Sequence, residues 1–260
     1  MSGRLALVTG ASAGIGAALA RVYAAHGYDL ALTARRKDRL EALAEDIRLG
    51  SGVEVMIVPA DLADPAAPAA ILGEIATHGR NVDALINNAG YGLVGPYVDS
   101  RWEDQAASLQ VMVTAVSELA HRVAPGMVER RFGRIVNVAS LAGLVPGSPG
   151  GGLYGAMKAF VVSFSQTLHT ELADSGVHVS ALCPGFTYSE FHDVNNAREA
   201  LKSVPAWLWM GADEVAASGY EAAEANRPVC VPGAPNKALA ALGHLLPDEW
   251  AMALMARRRR

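Results

Sequence analysis

Short apolar runs alternate with longer stretches of helical period along most of the chain. The runs cover residues 4–9, 28–33, 53–58, 83–87, 133–139, 177–183 and 228–231. None alternates strictly between apolar and polar, the pattern of strands covered on both faces. Between them, residues 14–27, 37–49, 65–78, 101–126, 153–174 and 212–225 carry Ala, Leu, Glu and Arg at spacings of three and four, which predicts helices. Asp64 before Pro65 predicts an N-cap followed by proline at the first helical position. Strand and helix taking turns is the pattern of repeated βαβ units. The expected fold is therefore α/β, a doubly wound parallel sheet of seven strands with helices on both faces. No internal repeat, low-complexity linker or break in composition precedes about residue 233. One domain over residues 1–260 is expected, ending in a tail at 233–260.

Composition narrows the function classes. A chain of 260 residues, 51% hydrophobic and 18% charged, is long enough to bury a full core. Its net charge of -4 and pI near 6.0 give no field that gathers nucleic acid, and the arginines outside residues 257–260 are scattered. Cys183 and Cys230 each lie inside an apolar run, the setting of reduced, buried thiols in a reducing compartment. The opening MSGRLALVTG meets a glycine turn too early for a secretory segment. No apolar stretch approaches the roughly 18 residues of a membrane span, so a cytoplasmic protein with no membrane contact is expected. His169, His178 and His192 have no ligand spacing with other donors, and no metal is expected.

The segment TGASAGIG, Thr9 to Gly16, follows the first strand and opens the first helix. Gly10 permits a tight turn, Gly14 admits a pyrophosphate to the backbone and Gly16 lets helix and strand pack closely. The helix N-terminus adds unpaired N–H groups, so the segment reads as a dinucleotide cradle. Where an acid would hold the ribose of NAD, the second strand ends in TARR. Arg35 suits the 2′-phosphate of NADP, with Arg36 as a second candidate, because a guanidinium stays charged and binds oxygens in pairs. Asp61, after the third strand, either accepts from the adenine amine or caps a turn.

At the other end of the chain, Tyr154 and Lys158 are four residues apart in a helical segment and share one face. A phenol is a poor acid–base group at neutral pH, but an adjacent ammonium and an oxidised nicotinamide favour the phenolate. Ser140, ending the fifth strand, presents a hydroxyl at the carboxyl edge of the sheet, where ligands of this architecture bind.

In order and spacing, TGASAGIG, NNAG at 87–90, Ser140, YGAMK and the Pro184–Gly185 pair resemble the short-chain dehydrogenase/reductase family, over about residues 4–232. The resemblance implies a Rossmann-type fold and hydride transfer at nicotinamide, from or to a ketone, aldehyde or alcohol. It makes Tyr154 the acid or base and Ser140 the substrate orienter, with Lys158 holding ribose hydroxyls. It places Gly10, Ser12, Gly14, Ile15, Gly16, Asp61, Leu62, Asn88, Ala89 and Gly90 along the NADP channel, Asn87 beside them, and Pro184, Gly185 and Thr187 at the nicotinamide. A homodimer or homotetramer is implied too. TARR is similar to the NADP-preferring branch, although Ala13 occupies the slot where many such enzymes carry a basic residue.

Two departures stand out. Met112 falls where the family keeps an asparagine that holds a relay water, and a thioether cannot donate a hydrogen bond. The stretch from Ser140 to Tyr154 is one residue longer than the family pattern and rich in Pro and Gly. Met112 leaves an NADP-binding sensor or scaffold as the alternative to an active enzyme. After the Pro-Gly turn, residues 186–210 lack a clear strand and take the position of the family's substrate lid. There Phe186 and Phe191, with Leu144 and Val145, are expected to meet an apolar substrate, near Tyr91 and Tyr97. Trp207 and Trp209 either join that pocket or pack the segment onto the core. The tail, broken by Pro247 and ending in four arginines, is expected to pack against the protein or a partner.

Overall fold

Burial on both faces accounts for the strands. The computed structural model describes residues 3–93, 95–147, 150–189 and 204–245. Its strands are β1 (Leu5–Thr9), β2 (Asp29–Thr33), β3 (Val55–Ile57), β4 (Ala84–Asn87), β5 (Gly133–Val138), β6 (Val177–Leu182), β7 (Phe186–Tyr188), β8 (Trp209–Gly211) and β9 (Val229–Cys230). Seven of these form one sheet in the order β3-β2-β1-β4-β5-β6-β9, every pair parallel. The expected doubly wound α/β sheet of seven strands, a single Rossmann-like domain, is the fold observed.

Period-two alternation sorts each strand between two cores. Ala6, Val8, Leu30 and Leu32 face α1 (Gly14–Ala25) and α2 (Lys37–Ser51) through Leu19, Tyr23, Leu40 and Ile47. Leu5, Leu7, Leu85 and Ile135 face α3 (Ala67–Thr77), α4 (Trp102–Leu109), α5 (Ala115–Glu129) and α6 (Tyr154–Glu171) through Ile71, Leu119 and Met157. α7 (Ala212–Glu224) completes the first layer, and α8 (Ala234–Leu245) follows β9. The strand order reverses between β1 and β4, so the crevice beyond their carboxyl ends is the expected ligand site.

Several boundaries differ from the sequence reading, each for a local reason. The segment expected as one helix over 101–126 is α4 and α5 joined by a π turn at Gln110–Thr114, and α5 runs on to Glu129 with Pro125 inside it. Asp64 is not the N-cap of α3. Its Oδ1 accepts from the Ala66 N–H at 2.9 Å, closing a turn, and the helix begins at Ala67. The segment after the Pro-Gly turn does contain strands, since β7 pairs in parallel with β8. Phe191 and His192 lie outside the described residues, as does the tail from 246 onward. Among the described residues no helix is long and apolar enough to cross a membrane.

Candidate active site

The loop between β1 and α1 is built around backbone that only glycine adopts readily. Gly10 has φ +66° and Gly14 φ +55°. A side chain at Gly10 would come 2.8 Å from the Cα of Ala89, and one at Gly16 would collide with the Gly10 carbonyl and the Asn88 amide. Thr9, ending β1, and Asn88, just after β4, brace the loop between them. The Thr9 hydroxyl oxygen accepts from the N–H groups of Asn88 at 2.9 Å and Ala89 at 3.0 Å, while Asn88 Nδ2 donates to the carbonyls of Thr9 and Gly10. The α1 N-terminus has Ala13 as N-cap, no side-chain cap and no acidic residue in its first turn. The N–H groups and the positive dipole end of α1 are thus left uncapped by the helix's own first turn, a setting that favours an anion. These features fit the pyrophosphate of a dinucleotide.

Other residues of the expected cofactor channel are distributed less simply. Asn87 is turned inward: its Nδ2 donates to Asn137 Oδ1 at 2.9 Å, and it is buried. Asn88 spends its amide on the loop, which leaves Ala89 and Gly90 to offer backbone. Ile15, in the first turn of α1, packs partly buried against the core, and Leu62 is buried among the α3 residues. Asp61 is exposed, and its Oδ1 accepts from the Ala63 N–H at 3.0 Å, the turn-capping alternative. Of the two arginines, Arg36 is the one joined to the glycine loop, donating from Nη2 to Ser12 Oγ at 3.1 Å. Arg35 is exposed, and its charge acts on the Tyr91 phenol. Adjacent residues at the end of a strand point apart, and the sequence alone did not show which one turns toward the loop.

Ser140, Tyr154 and Lys158 come together despite the long connection between the first two. Ser140 stands two residues beyond β5, its Oγ accepting from the Ala142 N–H at 3.1 Å and its hydroxyl hydrogen-bonding the Tyr154 phenol. Lys158 lies one turn further along α6, with Nζ 5.7 Å from the centre of the Tyr154 ring. Nζ donates to the Val138 carbonyl at 2.7 Å. Burial drives both groups toward their neutral forms: it pushes the Tyr154 phenol up to about 12, against a smaller downward pull from Ser140, and draws Lys158 down to about 8. Without a cofactor, then, the ammonium does not bring the phenol into the neutral range.

Met112 closes the inner side of this group. It is fully buried in the π turn, and a Cβ placed on Gly90 would lie 3.0 Å from its sulfur and 3.7 Å from Lys158 Nζ. Thioether and ammonium thus flank the same glycine. Cys183 was read from sequence as core, and burial pushes its thiol up to about 12. Cys230 is only half-buried, and its thiol too is raised by burial. Cys183 follows β6 and its N–H donates to the Cys230 carbonyl at 2.7 Å, yet the two side chains pack into different cores. Among the described residues no group of three His, Cys, Asp or Glu is placed to hold a metal ion.

The Pro-Gly turn lies beside Ser140, because the Leu141 N–H donates to the Pro184 carbonyl at 2.9 Å. Thr187 is buried and gives its hydroxyl to the Gly185 carbonyl at 3.2 Å. Leu144 and Val145 follow in the turn after Ser140, each half-buried. Phe186 packs against Trp209 with ring centres 5.5 Å apart, and Tyr188 stacks on the same ring at 4.9 Å. Trp209 therefore clamps β7 to β8, whereas Trp207 and Tyr97 are exposed. Sequence reading missed two residues here. Thr9 sat at the edge of a recognised motif, and Asn236, a lone asparagine in the tail, is buried against Gly185.

The chain belongs to the short-chain dehydrogenase family, whose model matches residues 4–200. It is 35% identical to a fatty acyl-CoA reductase of Mycobacterium tuberculosis over 99% of this chain and 85% of that protein. Among solved structures it is similar to a short-chain dehydrogenase from Sphingobium yanoikuyae in complex with NADPH, with TM-score 0.81 and 35% identity over 94% of this chain and 96% of that one. A bulky-bulky ketone specific alcohol dehydrogenase from Comamonas testosteroni superposes with TM-score 0.78 at 29% identity, covering 95% and 96% of the two chains. The family and the cradle together define a nicotinamide-dependent oxidoreductase, and solved members carry NADPH or NAD.

Burying Lys158 has a measurable cost. Its pKa falls from 10.5 to about 8 on folding, so the folded protein holds that proton less tightly than the unfolded chain. The charge therefore destabilises the fold by on the order of 3 kcal/mol below pH 8, and the penalty fades as pH rises from 8 toward 10.5. Lys158→Met is expected to melt at a higher temperature than wild type at pH 7, with the gap narrowing above pH 8. Calorimetric melts across pH 6–10 check this, and a variant less stable at every pH contradicts it.

Proposed function

We propose that this protein is an NADP(H)-dependent oxidoreductase that interconverts an apolar ketone or aldehyde and its alcohol, with Tyr154 as the acid–base group. The observation that carries the reading is the hydrogen-bonded Ser140–Tyr154 pair with Lys158 on the next turn of the same helix. Bound NADPH supplies the hydride in reduction, and NADP⁺ takes it back in oxidation.

The chain's own residues do the rest. Ser140 donates to the carbonyl oxygen and orients it. As the carbonyl carbon gains hydride, the Tyr154 phenol passes its proton to that oxygen, giving the alcohol and a phenolate. Lys158, held on the Val138 carbonyl, stabilises the phenolate by its charge and holds the ribose hydroxyls. In the oxidative direction Tyr154 must first lose its proton. A phenol lying near 12 makes that step unfavourable until positive charge arrives, so binding of the oxidised cofactor and deprotonation reinforce each other.

Preference for NADP rests on Arg36 and Ser12 at the loop mouth, with Arg35 next to them and no acid at Ala34. A charge-assisted contact of this kind contributes about 1.5–3 kcal/mol. Leu144, Val145 and Phe186 are the described candidates for the substrate wall. The family's homodimer or homotetramer and a cytoplasmic setting are part of the same proposal.

The test combines two measurements. Calorimetric titration with NADPH and NADH is expected to favour NADPH by at least about tenfold, and Arg36→Ala is expected to remove most of that margin. Turnover is then followed as NADPH oxidation over ketones graded from acetophenone to benzophenone, with aldehydes of similar size. Tyr154→Phe should keep NADPH binding and lose most turnover, by about 10²–10⁴-fold. Equal affinity for the two cofactors contradicts the NADP assignment. A fully active Tyr154→Phe, or no turnover by wild type on the whole panel, contradicts the catalytic reading.

The buried Met112 beside Lys158 favours one second reading, a cofactor-binding sensor with its proton supply closed off. A wild type silent on the panel together with an active Met112→Asn variant supports that reading. Equal turnover of the two proteins from pH 6 to pH 9 removes it.

A further inference from the structure

Helix α8 touches both walls that flank Ser140. At its start, Asn236 is 1% exposed, and its amide lies against the Cα of Gly185. A Cβ on that glycine would overlap Oδ1 and come 2.6 Å from Cγ and 2.7 Å from Nδ2. Nδ2 donates to the Pro232 carbonyl at 3.1 Å and meets the Met210 sulfur at 3.6 Å, while Oδ1 has no partner among the described residues. Two turns later on the same face comes Gly243, where a Cβ would lie 2.9 Å from Val145 Cγ1 and 3.4 Å from the Leu144 carbonyl. Ala240, at the intervening i+4 position, is buried as well.

Two physical points raise this above ordinary packing. Glycine within a helix weakens it relative to alanine, so the bare face at Gly243 accompanies a close approach by the Leu144–Val145 segment. A buried acceptor without a donor is costly, and such groups persist where a role requires them. The two contacts are about 10 Å apart along the helix axis. One supports the turn that accepts Leu141 N–H beside Ser140, and the other supports the residues that follow Ser140.

We propose that α8 sets the spacing of the cleft: Asn236 is a positioning residue for the Pro184–Gly185 turn under the nicotinamide half of the cofactor, and Gly243 is a specificity-determining residue that acts on the carbonyl substrate through Val145. The proposal rests on the reading of the site as an NADP(H) carbonyl–alcohol centre, and it adds a residue pair that governs which substrates fit there.

The experiment separates the two halves of the cofactor. Asn236→Ala removes an unpaired acceptor, so the variant is expected to fold, and its melting temperature is recorded as the control. Its Kd for NADPH should rise about tenfold, while its Kd for adenosine 2′,5′-bisphosphate, which lacks the nicotinamide half, stays within about twofold of wild type. Gly243→Ala should leave both Kd values unchanged. Its ratio of kcat/KM between the smallest and the bulkiest ketone accepted by wild type should shift by at least about fivefold. Asn236→Ala that weakens both ligands equally or neither, or Gly243→Ala with an unchanged ratio, overturns the role of α8 alone. A wild type that binds the bisphosphate but neither NADPH nor any ketone overturns the functional reading, and the α8 inference with it.

Discussion

Lys158 keeps an amine in the interior, held on the backbone carbonyl of Val138 at 2.7 Å. Removing a cation from water is costly, and the protein accepts that cost at one of the few places where a charge is useful. Much of the site follows from holding this group. β5 must end so that its last carbonyl faces α6, Gly90 must lack a side chain so that Nζ and the Met112 sulfur fit against it, and α6 must begin at Tyr154. The same burial that lowers Lys158 raises Tyr154. Before a cofactor arrives, both groups are neutral more readily than in water, and the phenol lies too high for proton transfer near neutral pH.

The cofactor end solves a different problem, keeping anion-binding backbone open. Parallel strands ending at a reversal of order leave N–H groups and a helix terminus with no internal partner. Here Thr9 and Asn88 tie the loop to β4 from behind, and the α1 N-terminus carries no competing acid. Arg36, hydrogen-bonded to Ser12, brings a permanent positive charge to the loop mouth. Rigid support behind and an uncapped helix terminus in front is the arrangement expected of a preorganised binding site.

The fold was legible because buried parallel strands read as continuous apolar runs and their covering helices as periodic ones. The glycine loop was legible because positive φ at Gly10 and Gly14 needs glycine. Tyr154 and Lys158 were legible because their spacing is that of one helical turn. The π turn at Gln110–Thr114 was hidden, since one extra residue in a turn barely disturbs the apolar period on either side. β7 and β8 were hidden because three residues are too few to show alternation. Asn87 and Asn88 looked alike in sequence, yet one is bonded to Asn137 and the other to the glycine loop. Asn236 carried no signal, because its role comes from contact with a turn some fifty residues away.

The central claim is that burial holds the Tyr154 phenol high until the oxidised cofactor supplies positive charge beside it. The direct measurement is the phenol's own titration, followed as the ultraviolet difference between wild type and Tyr154→Phe, with and without saturating NADP⁺. The account predicts ionisation near pH 12 in the cofactor-free protein and a fall of about two units or more once NADP⁺ is bound, since a nearby positive charge lowers such a group by about 1–3 units. A Tyr154 pKa that is the same with and without NADP⁺ contradicts it.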